Sequence, residues 1–162
     1  MTTSFTYASY IRTDPGTLWD MLTDPELTPD YWFDSRVESD WRIGSQVRLV
    51  GPDGRLWDHG EVLECAPPRR LSFTWITVMD DFAGEPPSRL SFDIEPVGED
   101  VRLTVTHDGF QPGSALLDSI AEGWPQLVCS LKSLLETGRP LAVSTPDPKY
   151  LASPGDGGQA AQ

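Results

Sequence analysis

Apolar and polar side chains alternate along most of this chain and then, near its end, switch to a three-and-four spacing. Alternation marks β-strands, whose successive side chains point to opposite faces, and the later spacing marks one face of an α-helix. Three strands have an unambiguous inner side. Leu71, Phe73 and Trp75 share a face, as do Leu90, Phe92 and Ile94, and Val101, Leu103, Val105 and His107, with Ser72, Thr74, Ser91, Asp93, Arg102, Thr104 and Thr106 between them. The strand Leu56 to Cys65 leaves its faces open, because Trp57, His59 and Leu63 compete with Gly60 and Val62 for the interior.

Turn chemistry divides the rest. Gly44-Ser45, Gly51-Pro52-Asp53-Gly54, Pro67-Pro68, Glu85-Pro86-Pro87 and Gly98-Glu99-Asp100 separate strand-length runs at Arg36 to Trp41, Gln46 to Val50, Leu56 to Cys65, Leu71 to Val78, Ser88 to Glu95 and Val101 to His107. With Phe5 to Ile11 the total is seven strands. Asp14 before Pro15 predicts a capped short helix carrying Leu18, Trp19, Met21 and Leu22, and Thr23 or Asp24 before Pro25 predicts a second around Glu26 and Leu27. The long helix carries Trp124, Leu127, Val128, Leu131, Leu134 and Leu135 on one face and ends at Gly138 and Pro140. Pro125 sets its start: either near Glu122, with the proline in the first turn, or near Ala115, with a kink at the proline. A folded domain over residues 1–141 is expected, followed at 142–162 by a Pro, Gly, Ser and Gln-rich tail that cannot bury enough to order itself.

The chain has 162 residues and a formal net charge of −13, which argues against nucleic acid or an anionic membrane as partner. No apolar run approaches a membrane span, and the polar start after Met1 lacks a signal peptide, so a cytoplasmic protein is expected. Cys65 and Cys129, each among apolar residues, read as buried free thiols. Two histidines and two separated cysteines give no basis for a metal site, and no GxSxG, P-loop or GxGxxG is present. Neither a metal nor a cofactor is expected. Asp80, Asp81 and Glu85 read as a solvated acidic loop, and Arg69-Arg70 as exposed charge at a turn exit.

Several words of the sequence carry a resemblance. Leu18-Trp19-Asp20-Met21-Leu22-Thr23-Asp24-Pro25-Glu26, Asp53-Gly54 with Gly60-Glu61-Val62-Leu63-Glu64, the run from Pro67 to Trp75, Leu103 to Phe110, and Gly123-Trp124-Pro125 with Leu131-Lys132 and Leu135 to Gly138 occur in order. Together they resemble the activator-of-heat-shock-ATPase-like (AHSA-type) branch of the START-like, SRPBCC superfamily over about Phe5 to Leu141. The resemblance implies an α+β helix-grip (Bet v 1-like) fold: a curved seven-stranded antiparallel sheet around a long C-terminal helix, with a hydrophobic cavity between them. It does not fix an activity, since similar members include lipid-transfer modules, small-molecule binders, aromatase/cyclases and co-chaperones.

A lone helix over a curved sheet leaves a pocket, and aromatic side chains suit its lining. The expected ligand-binding residues are Trp32, Trp41, Trp57, His59, Phe73, Trp75, Phe92, His107, Trp124, Leu127, Val128 and Leu131, and the expected guest is a small hydrophobic or aromatic molecule. Binding without chemistry is the leading reading. His107, in phase with the inner face, is the candidate acid/base of a polyketide cyclase or hydrolase-like alternative, against the plainer reading of a core histidine held by its neighbours. A third reading is a co-chaperone acting on a heat-shock ATPase through its acidic exterior. Pairing into a homodimer stays open, because the edge strand Phe5 to Ile11 would gain cover from a second copy.

Overall fold

The computed structural model describes residues 3–144, apart from residue 83. One seven-stranded sheet dominates, built from β1 (Phe5–Ile11), β2 (Arg36–Ser39), β3 (Gln46–Val50), β4 (Leu56–Ala66), β5 (Arg70–Thr77), β6 (Ser88–Val97) and β7 (Asp100–Asp108). All neighbours are antiparallel in the order β1-β7-β6-β5-β4-β3-β2, so β2 to β7 form a meander and β1 closes onto its far end. The inner faces read from alternation are the buried ones: Leu71, Phe73, Trp75, Leu90, Phe92, Ile94, Val101, Leu103, Val105 and His107 all lie in the interior.

Two short helical pieces follow β1, as expected. Helix α1 (Pro15–Thr23) begins at Asp14, whose carboxylate accepts from Thr17 N at 2.9 Å. The second piece lies slightly further on than Glu26 and Leu27, as a 3-10 turn at Thr28–Asp30. Asp24 instead folds the intervening residues into a turn by accepting from Glu26 N, and buried Thr28 joins the 3-10 turn to β2 by accepting from Val37 N. Strand β2 stops at Ser39, short of Trp41, because Trp41 takes a left-handed backbone (φ 56°).

Strand β4 resolves the ambiguity of its faces by breaking its own alternation. Leu49 pairs with Asp58 while Val50 pairs with Leu56, so Trp57 is an extra, bulged residue, and a second irregularity falls at Leu63, between the Val62–Phe73 and Glu64–Ser72 pairs. The first bulge lets both Trp57 and Asp58 be buried, and from Asp58 on the alternation is regular, which puts Gly60 and Val62 inside and His59 on the opposite face. Gly60 is required here, since a Cβ on it would lie 1.7 Å from the Thr74 carbonyl oxygen.

Helix α2 (Ala115–Thr137) runs 23 residues, about 34 Å at ~1.5 Å per residue. It starts at the earlier of the two anticipated points, with Pro125 inside it, so the Ala121 carbonyl loses its usual partner. Ser114 caps it by accepting from Leu117 N, and Gly138 ends it at φ 82°. Glu85 is no solvated carboxylate: it accepts from Ser114 Oγ and from Leu116 N at 2.9 Å, pinning the helix start to the β5–β6 connection. At the other end Lys132 Nζ donates to Tyr10 O at 2.7 Å and Arg12 N to Glu136 Oε2 at 2.9 Å, which ties α2 to β1.

Three further expectations meet the structure differently. Arg70 bridges Glu64 at 3.1 Å and Asp93 at 2.8 Å, so its charge is paired across the sheet. Cys65 and Cys129 are free but only half-buried. Of the expected tail, Ala142–Ser144 form a 3-10 turn and residues 145–162 lie outside the described residues. Among the described residues, no helix is long and apolar enough to cross a membrane. The close approach at Gly60 predicts that Gly60→Ala lowers stability by about 3 kcal/mol, because the clash is with backbone that cannot rotate away; a urea titration measures it.

Candidate functional site

Helix α2 is tied down at both ends but does not lie flat on the sheet. Beneath its N-terminal half is a cavity of about 440 Å³, open to solvent, bounded by β3, β4 and β5, by Met79 and Phe82 of the β5–β6 connection, and by Trp32 and Phe33. From α2 it is lined by Leu116, Ser119, Ile120, Glu122, Gly123, Trp124, Gln126 and Leu127. Phe33 reaches it from a left-handed backbone (φ 52°), an arrangement that concentrates at ligand sites because the surrounding structure must hold it in place.

Of the residues expected to bind, Trp32, Trp57, Trp75, Trp124 and Leu127 come together around this cavity. Phe73, Phe92, Val128 and Leu131 are buried in the core but are not among its lining residues. Trp41 sits aside, donating from Nε1 to Thr23 O at 2.9 Å and packing on Phe73. His59 borders a separate void of about 10 Å³.

His107 is fully buried, and Trp124 separates it from any guest. The Trp124 indole N–H donates to His107 Nδ1 at 3.1 Å, which makes Nδ1 the acceptor. Nε2 must therefore carry the proton, and it donates to Ser88 Oγ at 2.9 Å; Ser88 in turn donates to the Trp75 carbonyl. Burial pulls the imidazole down to about 3, so it stays neutral. With both nitrogens engaged and no access to the cavity, His107 has no route to acid/base work on a guest. It anchors an aromatic cluster, with Trp124 placed 5.5 Å from Trp32, 5.8 Å from Phe92 and 6.3 Å from Trp75 between ring centroids.

The polar chemistry of the cavity lies elsewhere, on a residue that alternation did not single out. Asp58 is 6% exposed and lines the cavity beside Thr77 and Trp75. Burial pushes its carboxyl up to about 7, against the Thr77 hydroxyl and Trp75 indole, which favour the ionised form. Among the described residues, the Trp75 N–H nonetheless completes no hydrogen bond of good geometry with it or with any other group. Glu122 is the other ionisable residue of the lining, exposed at the mouth. Asp58 is in phase with Gly60 and Val62, one of the two alternations open for β4, and that phase was the signal that could have revealed it. Among the described residues, no cluster of His, Cys, Asp and Glu is placed to hold a metal ion.

Two changes test this geometry. Trp124→Phe strands His107 Nδ1 in the interior and costs about 1–3 kcal/mol, measured by denaturant titration. Asp58 binds a proton more readily folded (about 7) than at its ordinary 3.8, so its burial lowers stability as pH rises between those values. Asp58→Asn, which imitates the protonated acid, therefore raises stability at pH 8 by as much as about 4 kcal/mol, and the gain fades as pH falls toward 4. Melting temperatures across that range read it out.

Comparison with known proteins agrees with this architecture. A family model described as "Activator of Hsp90 ATPase homolog 1-like protein" matches residues 12–136. Among solved structures, CalU16 from Micromonospora echinospora is 21% identical, with 90% of this chain and 78% of that one covered at a TM-score of 0.69. Protein MLL2253 from Mesorhizobium loti is 25% identical, with 82% and 96% covered at 0.72. The Aha1 dimer from Colwellia psychrerythraea is 18% identical, with 85% and 98% covered at 0.69. No curated protein matches. With the family model spanning most of the chain and the helix-grip architecture in place, this protein belongs to the AHSA-type family of the START-like, SRPBCC superfamily.

Proposed function

We propose that this protein binds a small, mainly hydrophobic or aromatic molecule in the cavity between the sheet and α2. The observation that carries the reading is the cavity itself, about 440 Å³ and walled by Trp32, Trp57, Trp75 and Trp124. Burying a guest against such surface yields roughly 25 cal/mol per Å² of apolar area removed from water, and four indoles supply area that is already ordered. The role needs no bond-making step, and the sealed ring of His107 leaves the cyclase or hydrolase alternative without the residue first suggested for it. A cytoplasmic location fits the reduced thiols and is part of the same proposal.

A second reading is action on a chaperone partner, with or without pairing of two copies. It rests on the family description and on the likeness to the Aha1 dimer. The acidic charge of the chain would have to meet a basic surface on such a partner.

Gly123 provides a direct test of the cavity. It lines the space, and a Cβ there meets nothing within 4 Å. Gly123→Leu should fill the cavity while improving helix propensity by up to about 1 kcal/mol. The neutral fluorophore N-phenyl-1-naphthylamine should bind the wild type with blue-shifted emission and bind Gly123→Leu about tenfold or more weakly, with an unchanged or higher melting temperature. Equal binding to both, or none to the wild type, would reject the cavity as the site.

A further inference from the structure

We propose that Asp58, Thr77 and the Trp75 indole N–H form a polar pole in the cavity that selects guests carrying a hydroxyl group, in particular a hydroxyl on an aromatic ring. The inference rests on the cavity-binding reading and adds to it the chemistry of the guest.

Three observations place the pole. Asp58 is in phase with Gly60 and Val62 on β4, paired with Leu49 and Thr77, so its carboxyl is buried among indoles in the cavity, and the bulge brings Trp57 in beside it. Thr77 accepts from Met79 N at 3.2 Å, which leaves its own hydroxyl proton to be given to Asp58. Trp75 Nε1 is a buried donor with no bonded acceptor among the described residues, close enough to Asp58 to favour its ionised form yet not bonded to it. A buried indole N–H in this state costs free energy that a guest can recover.

Counting donors and acceptors narrows the guest. The pole offers one N–H to give and a carboxyl that, when ionised, only accepts. A hydroxyl answers both, since its oxygen accepts from Trp75 while its proton goes to Asp58. A bare carbonyl satisfies Trp75 alone. An ammonium satisfies Asp58 alone and leaves the indole unpaired. A carboxylate guest meets Asp58 as a like charge, with Glu122 at the mouth and a net charge of −13 on the chain adding to the repulsion. An aromatic ring behind the hydroxyl suits the Trp32, Trp57 and Trp124 walls.

The test compares 2-naphthol with naphthalene, which share a ring system and differ by the hydroxyl. Binding is followed by tryptophan fluorescence and calorimetry on the full chain at pH 7.5, and the quantity read is the ratio of the two affinities. The wild type should prefer 2-naphthol by about tenfold or more, the scale of a recovered buried hydrogen bond. Asp58→Leu should bring the ratio close to one, and Trp75→Phe, which keeps the ring but removes the N–H, should bring it part of the way. A wild-type ratio near one, or a ratio unchanged in both variants, overturns the polar pole while leaving the cavity reading intact. Failure of both naphthalene and 2-naphthol to bind the wild type overturns the two together. Should Asp58→Leu not fold, Trp75→Phe carries the decision by itself.

Discussion

The hydrogen bond from the Trp124 indole to His107 fixes where the long helix sits over the sheet. It joins the middle of α2 to the last strand, and Ser88 extends the chain of bonds to β6 and on to the Trp75 carbonyl of β5. Because the imidazole can serve this chain only when neutral and protonated on Nε2, the joint also fixes a tautomer. Its linkage has a defined sign: with the ring held at about 3, the stability it contributes is full above the ordinary 6.5 and is lost as pH falls. Asp58 has the opposite slope over nearly the same range, so the two buried groups largely offset each other in mildly acidic solution.

With the middle of α2 held by Trp124 and its ends held by Glu85 and by β1, the helix has little freedom to settle into the concavity. The C-terminal half lies close to β1 through Tyr10, Arg12, Lys132 and Glu136. The N-terminal half is kept at the height of the β5–β6 connection, where Glu85 accepts from Ser114 and Leu116. The cavity is the volume this three-point suspension leaves unfilled, and its rigidity follows from that of the attachments. Leu116, Ile120 and Leu127 face it because the stripe that packs the core continues past the last place where the sheet meets it.

Much of this was legible in the chain. The inner faces of β5, β6 and β7, the cap at Asp14 and the stop at Gly138 follow from periodicity and turn chemistry, which are local, and the helix-grip fold came from the resemblance carried by the ordered stretches between Leu18 and Gly138. Of the site, Trp32, Trp57, Trp75, Trp124 and Leu127 could be named because aromatics and a helix stripe announce themselves. Phe73 and Phe92 could not be told from cavity walls, since packing against another ring and facing an empty space impose the same alternation. Glu85 read as a surface charge because its partners, Ser114 and Leu116, lie 29 and 31 residues away. Asp58 escaped notice for a different reason, since it shares a face with Gly60 and Val62 while Trp57, His59 and Leu63 offered a competing, more apolar one.

The bulged residue of β4, Trp57, makes the wall of the cavity a matter of counting rather than of substitution. Side chains alternate with a period of two, so removing the bulge would pair Trp57 with Val50 and turn its indole to the face opposite Asp58. The cavity would then lose one of its four indole walls without a single side chain being replaced. A one-residue insertion or deletion between the Asp53-Gly54 turn and Asp58 is thus a route by which descendants of one gene could reshape the cavity wall while keeping the sheet, the helix and the joint at Trp124.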